Sequence, residues 1–329
     1  MSKGRDGKMS NKDVQMELVM YSDDRESIHR IVVNDPEKYN ITNKAQAEAY
    51  AKKMELENQR IKDTRGNFVI SKNEPMKELE TSGITIADRR YLMQLILYVQ
   101  FNGEPLSKNG EPLDAHDIAE LWNLDYKVAN KRISKFTKLG IIESVRNPNN
   151  KRTKNYFLNE QYFLMGKVKS GEKFVKLFQK KLAEIIENIQ EIERKANRRK
   201  DKPVEIVDVI GLLNAVMPYF HYQTYYLVKN PDDNILIGDE SVNEALERDP
   251  SQLKHLTRTQ IGRILGHKKA RLTTIDKYME YLEIAGAVMI TRTKSKSRYL
   301  IHPDLMFRSD GIGMDDYTRT IRNQFNQHN

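Results

Sequence analysis

Apolar residues recur at helical spacing over much of the chain. Thr85 stands where a helix cap is wanted, and Leu92, Leu95, Ile96 and Val99 follow on one face. A Gly/Pro/Asn-rich loop covers 102–112. Two short helices then flank a turn at Trp122-Asn123-Leu124, and 141–158 reads as strand, basic loop, strand. Across 172–200 a long charged helix is expected, because Val175, Phe178, Leu182, Ile185, Ile189, Ile192 and Ala196 step by three and four. That seam suits either a coiled coil or a connecting helix lying on a neighbouring domain. Val204 to Phe220 reads as an apolar helix through Ile206, Val209, Ile210, Leu213, Val216 and Met217, which Pro218 should end. The polar stretch 229–255 holds one strand candidate, Ile235-Leu236-Ile237. Residues 1–27 read as disordered and 310–329 as a frayed tail. A mostly polar helix is expected over 44–62 and a short strand at Phe68-Val69-Ile70, after a Gly66-Asn67 turn.

The chain says one thing twice. DIAELWNLDYKVANKRISKFTKLGIIESVR, NPNNKRTK and NYFLNEQYFL form the first copy. QIGRILGHKKARLTTIDKYMEYLEIAGAVMITR, TKSKS and RYLIHPDLMF form the second. Ile118 matches Ile261, Leu121 Ile264, Ala129 Ile275, Ile133 Met279, Phe136 Leu282 and Gly140 Gly286; Tyr156 and Tyr299 open the returning strands. Thr257 to Gln260 is a capping box, Asp125 can cap the second helix of copy one, and both glycines stand where a helix must turn into a strand. The order in each copy is helix, turn, helix, hairpin.

Both copies resemble winged-helix domains of the broad MarR-like class, and are similar to RepL-type replication proteins of Gram-positive plasmids and phages. The resemblance rests on KLGII at 138–142, on Tyr156-Phe157-Leu158-Asn159 leading to Tyr162-Phe163, and on Tyr299 to Pro303 leading to Met306-Phe307. It spans 85–166 and 204–308. It implies an α+β, mainly α protein with two winged helix-turn-helix domains joined by a long helix. The expected divisions are an N-terminal extension 1–84, domain one 85–166, connector 167–203, domain two 204–308 and a tail 309–329. In such a fold the second short helix enters the major groove, and the wing reaches a backbone or minor groove.

The charges agree with a polyanionic partner. The net charge is +9. One helix stripe of copy one carries Lys127, Lys131, Ser134 and Lys138, flanked by Asn130 and Lys135, with no acid. Asparagine can read adenine, and lysine can neutralise phosphate or reach guanine. The first wing holds Arg146, Lys151, Arg152 and Lys154; the second holds Arg292, Lys294, Lys296 and Arg298, again without an acid. In the second helix of copy two, Lys268, Lys269, Arg271, Thr273 and Lys277 favour DNA, while Glu280 and Glu283 repel phosphate. Trp122 reads as a packing plug, and Tyr219, Tyr222, Tyr225 and Tyr226 as core or interface residues.

The expected activity is sequence-specific binding of double-stranded DNA without catalysis, as a phage- or plasmid-type transcriptional regulator or as a replication initiator binding origin repeats. A homodimer would pair through Val175, Phe178, Leu182, Ile185, Ile189 and Ile192, or through the N-terminal helix. There is no cysteine, no H-E-x-x-H spacing and no P-loop, so neither a metal nor another cofactor is expected. With no signal-peptide core and no apolar run of membrane length, a cytoplasmic chain with no membrane partner is expected. A competing enzymatic reading is tyrosine-recombinase-like, from His255, Arg258, His267 and Tyr278. Its spacing departs from that family, and no upstream arginine box is evident.

Overall fold

The computed structural model describes residues 15–21, 28–34, 45, 47–51, 53–54, 63–148, 150–169, 171–198, 204–266, 272–292, 296–308, 313 and 315–328. Two compact units separate at Lys62/Asp63. In the first, β1 (Gln15–Tyr21) and β2 (Ile28–Asn34) form an antiparallel hairpin with Gln15 opposite Asn34. A strand thus replaces the disorder expected for 15–21: the polar run before it hid the short apolar segment Met16 to Tyr21, which pairs with Ile28 to Val33. The described residues between 45 and 54 are helical (α1).

The second unit opens with β3 (Phe68–Lys72), α2 (Asn73–Glu78) and α3 (Ile86–Ile96). The small hairpin β4 (Ser107–Lys108) and β5 (Glu111–Pro112) leads to α4 (Ala115–Leu121), α5 (Tyr126–Lys138), the hairpin β6 (Ile142–Arg146) and β7 (Lys154–Leu158), and β8 (Phe163–Leu164). The chain then repeats itself with β9 (Phe174–Phe178), α6 (Gln179–Asn197) and α7 (Val209–Val216). After α8 (Val242–Arg248) come α9 (Arg258–Ile264), α10 (Leu272–Ile284), the hairpin β10 (Val288–Arg292) and β11 (Ser297–Ile301), β12 (Met306–Phe307) and a final helix, α11 (Asp316–His328). The protein is a mixture of helices and small antiparallel sheets. Among the described residues no helix is long and apolar enough to cross a membrane.

One four-stranded sheet ties the two copies together, in the order β12-β9-β3-β8. At its centre β3 and β9 run antiparallel, with Phe68 opposite Phe178 and Lys72 opposite Phe174. Ile70 and Ser71 pair with Leu164 and Phe163, and Lys176 and Leu177 pair with Phe307 and Met306. A two-fold axis between β3 and β9 therefore carries Phe163 onto Met306 and Leu164 onto Phe307. The offset is the one that relates Tyr156 to Tyr299, so the sequence repeat and the sheet register describe the same symmetry. Beside the sheet, α3 packs on α7. Gly211 permits the closest approach: a Cβ there would sit 2.0 Å from the Ile86 carbonyl oxygen.

Several sequence expectations change. Val175 and Phe178 belong to strand β9, and the helix begins only at Gln179. Alternation in Phe174-Val175-Lys176-Leu177-Phe178 fits a strand as well as the heptad steps did. Val175, Phe178, Leu182, Ile185 and Ile189 are buried in the core of the single chain, and Ile192 packs against it. The dimerisation seam is therefore consumed internally. Ile235-Leu236-Ile237 forms no strand. The helix expected over 204–220 is the shorter α7, followed by a 3-10 turn at Met217–Tyr219 with Pro218 inside it. The frayed tail is α11 from Asp316 on. Tyr317, Ile321 and Phe325 recur every four residues and are buried. Arg322 pairs with Asp304 at 2.7 Å, and the Tyr317 hydroxyl donates to the Thr224 carbonyl at 3.0 Å, which fixes the helix to the body.

Candidate nucleic-acid interface

In copy one, Asp114 caps α4 in a full capping box, and Asp125 accepts a hydrogen bond from the Lys127 N–H at 2.9 Å to start α5. Ala129, Ile133 and Phe136 face inward, and Gly140 ends the helix region with a left-handed φ of 69°. Trp122 is buried as a plug; its Nε1 donates to the Tyr91 carbonyl at 3.2 Å. Burying that stripe turns the other outward, so Lys127, Lys131, Ser134 and Lys138 are exposed and Asn130 is half-buried. With Lys135 they line a shallow groove of about 550 Å³.

Lys135 departs from its expected role. Its Nζ lies 2.6 Å from Asp88 on α3 and also donates to the Gly83 carbonyl. Arg132 joins the same carboxylate and stacks on Tyr91. Burial pushes the Asp88 carboxyl up, but hydrogen bonds from Lys135 and Thr85 and the charge of Arg132 hold it below the usual carboxylate range. Asp88 is also the first-turn (N3) member of the Thr85 capping box, so one side chain caps α3 and anchors α5. Lys127, Lys131 and Lys138 make no ion pair among the described residues.

The first hairpin pairs Arg146 with Lys154 beside its turn, at the tip. Arg146, Lys151, Arg152 and Lys154 are exposed and make no ion pair among the described residues. The turn is shaped by polar side chains: Asn150 accepts from the Arg152 N–H at 3.1 Å.

Copy two has the same frame and different chemistry. Thr257 and Gln260 form the expected capping box of α9, and Gly286 adopts the left-handed φ of Gly140. Thr273 and Lys277 are exposed on α10, while Lys268, Lys269, Arg271 and Lys294 lie outside the described residues. Glu280, expected to repel phosphate, instead binds Arg292 of the hairpin at 3.0 Å. Glu283 accepts the Ile290 N–H at 2.8 Å and so ties the hairpin to the helix. Arg292 and Lys296 are exposed and Arg298 is half-buried.

Between α9, α10, the second hairpin and the loop before α9 lies a cleft of about 930 Å³. Lys229, Lys254 and Arg258 line it beside Arg292, Lys296 and Arg298. Its two acids are both engaged, Asp276 with Arg258 at 2.6 Å and Glu280 with Arg292. Lys229 and Lys254 escaped the sequence reading because they meet only through a backbone bridge between distant segments, and Arg258 entered it only in the recombinase-like set. Of the recombinase-like set, Arg258 is held by Asp276, His255 is half-buried in the cleft and Tyr278 is half-buried on α10. His267 lies outside the described residues. Burial lowers the His255 imidazole to about 4, helped by the charges of Arg298, His221 and Lys296.

Comparison with protein-family models, with curated proteins and with solved structures returns no match to this chain.

Proposed function

We propose that the chain binds double-stranded DNA sequence-specifically and without catalysis, through two winged-helix modules, and acts as a transcriptional regulator. The observation that carries this reading is the outward face of α5. Lys127, Lys131 and Lys138 stand exposed on one stripe with Asn130, next to a hairpin with four further exposed cations. A helix presented in this way fits the major groove, where Asn and Lys read base edges, while hairpin cations neutralise phosphates.

The two-fold relation between the copies supports a single chain as the binding unit. Dimeric helix-turn-helix proteins obtain two reading heads from two chains; here the repeat supplies both. The two second helices differ in sequence, so the expected target has two dissimilar halves.

Selection from a random duplex library followed by fluorescence anisotropy over a salt series tests this. The expected result is a bipartite consensus and an affinity that falls steeply with salt. Exchanging Lys151, Arg152 and Lys154 together for Gln should flatten the log–log salt slope by about two to three units. Absence of any duplex binding at low salt would refute the reading. An interaction scaffold would give that outcome, and a recombinase would instead leave a covalent DNA adduct that Tyr278→Phe abolishes.

A further inference from the structure

The cleft of copy two holds a pair of like charges where the matching ladder of copy one holds a pair of opposite charge. A short ladder joins the segment after α7 to the segment before α9: the Leu256 N–H donates to the Leu227 carbonyl, Val228 bridges His255, and the Lys229 N–H donates to the Lys254 carbonyl at 2.8 Å. Lys229 and Lys254 are therefore directly opposite each other on neighbouring strands, where like charges repel. Asn230 fixes the ladder's end, accepting the Lys254 N–H at 3.0 Å and donating to the Gln252 carbonyl at 2.8 Å. Both lysines are exposed at the cleft wall and have no ion pair with a carboxylate among the described residues. The nearby acids Asp276 and Glu280 are already taken by Arg258 and Arg292.

A pair of like charges held opposite by a fixed backbone, without a counter-charge among the described residues, is a cost to the free protein that an anion between them removes. The cleft lies between α10 and the second hairpin, the two elements of copy two that meet the partner in the proposed function. Copy one carries the same ladder before α4 with a different charge pattern: the Leu113 N–H donates to the Leu106 carbonyl and Lys108 stands opposite Glu111, so the pair that is like-charged in copy two has opposite signs there.

We propose that the cleft seats one sugar-phosphate strand of the bound duplex, with a phosphate held between Lys229 and Lys254 and its neighbour toward Arg298. This rests on the duplex-binding reading and deepens it: copy two grips the backbone through a preformed phosphate seat. The chemistry recognised is a phosphate ester, and a free nucleotide is the other source of that group.

The test uses the full chain and a random-sequence duplex of fixed length in anisotropy from low to moderate salt. Lys229→Gln combined with Lys254→Gln should reduce the salt slope by about two units and weaken binding roughly tenfold or more at 0.1 M salt. Lys229→Glu alone should raise the melting temperature, by pairing with Lys254, while weakening DNA binding; a merely structural role would not move the two readouts in opposite directions. If the unaltered chain binds no duplex, the function proposed above fails and this seat fails with it. If it binds and the double variant keeps the same slope, only the seat is overturned. Titration calorimetry with ATP and with inorganic triphosphate separates the sources. Stoichiometric nucleotide binding that the double variant loses, with the duplex slope unchanged, would assign the cleft to free nucleotide and overturn the duplex assignment.

Discussion

The two copies share a frame but place their charges differently. In copy one, the cations of α5 that face outward are left for a partner, and the one acid involved, Asp88, sits behind the helix. In copy two, the cations near α10 are partly neutralised from within, Arg258 by Asp276 and Arg292 by Glu280. Among the described residues Lys277 is the one cation of α10, and further positive charge stands on the cleft wall at Lys229 and Lys254. Base selection needs a free helix face, whereas backbone binding needs only fixed cations at phosphate spacing. In the proposed function, copy one selects and copy two holds.

The sharpest way to separate the halves is acid. The three most perturbed histidines, His221, His255 and His302, all lie in the second half, each lowered to about 4 by burial first. His116 in copy one is exposed. Above the ordinary imidazole pKa of about 6.5 these groups are neutral whether folded or not. As pH falls from 6.5 towards 4, the unfolded chain takes up protons that the folded one refuses, so stability falls throughout that window and levels off below it. A loss on the order of 3–5 kcal/mol between pH 7 and pH 4 is expected from denaturant midpoints. Trp122, the single tryptophan, reports on copy one. Circular dichroism should therefore lose signal at higher pH than Trp122 fluorescence. Coincident transitions would show that the sheet and the α3–α7 contact make the halves unfold as one.

A smaller effect tests copy one. Asp88→Ala removes the capping partner of Thr85 and leaves Arg132 and Lys135 without their carboxylate. Breaking such a node costs about 2–3 kcal/mol, the lysine's exposure keeping it from the full cost of a buried pair. Loosening α5 should erode discrimination between selected and random duplexes, while the salt slope from copy two persists. A variant with normal discrimination would show that packing of Ala129, Ile133 and Phe136 suffices to aim the helix.

These contrasts were unevenly legible in the sequence. Local chemistry was readable: Thr85, Asp125 and Thr257 cap their helices, and Gly140 and Gly286 take left-handed φ, because a cap or a turn is decided within four residues. The stripe on α5 was readable because helical periodicity fixes which side is buried. Strand β9 was hidden because Val175 and Phe178 satisfy both a strand and a heptad, and only β3, far away in the chain, decides between them. Helix α11 was hidden because three apolar residues in a polar stretch need Thr224, Tyr225 and His302 to dock against. Lys135 read as a ligand since nothing near it in sequence reveals Asp88. The opposition of Lys229 and Lys254 exists only in the folded ladder.

The finest test of the comparison is Glu280→Gln. Glu280 binds Arg292 at 3.0 Å with both side chains about half exposed, so the pair contributes at most about 1 kcal/mol and the melting point should barely move. Its effect on binding has the opposite sign from every other variant. Removing the acid frees Arg292 and deletes a negative charge from the cleft, so random-duplex affinity should rise a few-fold at low salt and the salt slope should steepen by up to about one unit. The same change in copy one has no equivalent, because no acid shares the outward face of α5. If instead affinity falls, Glu280 is needed to hold Arg292 and the hairpin in a productive orientation. Neutralisation would then be part of how copy two positions its hairpin, and the division between a selecting half and a holding half would have to be redrawn around that ion pair.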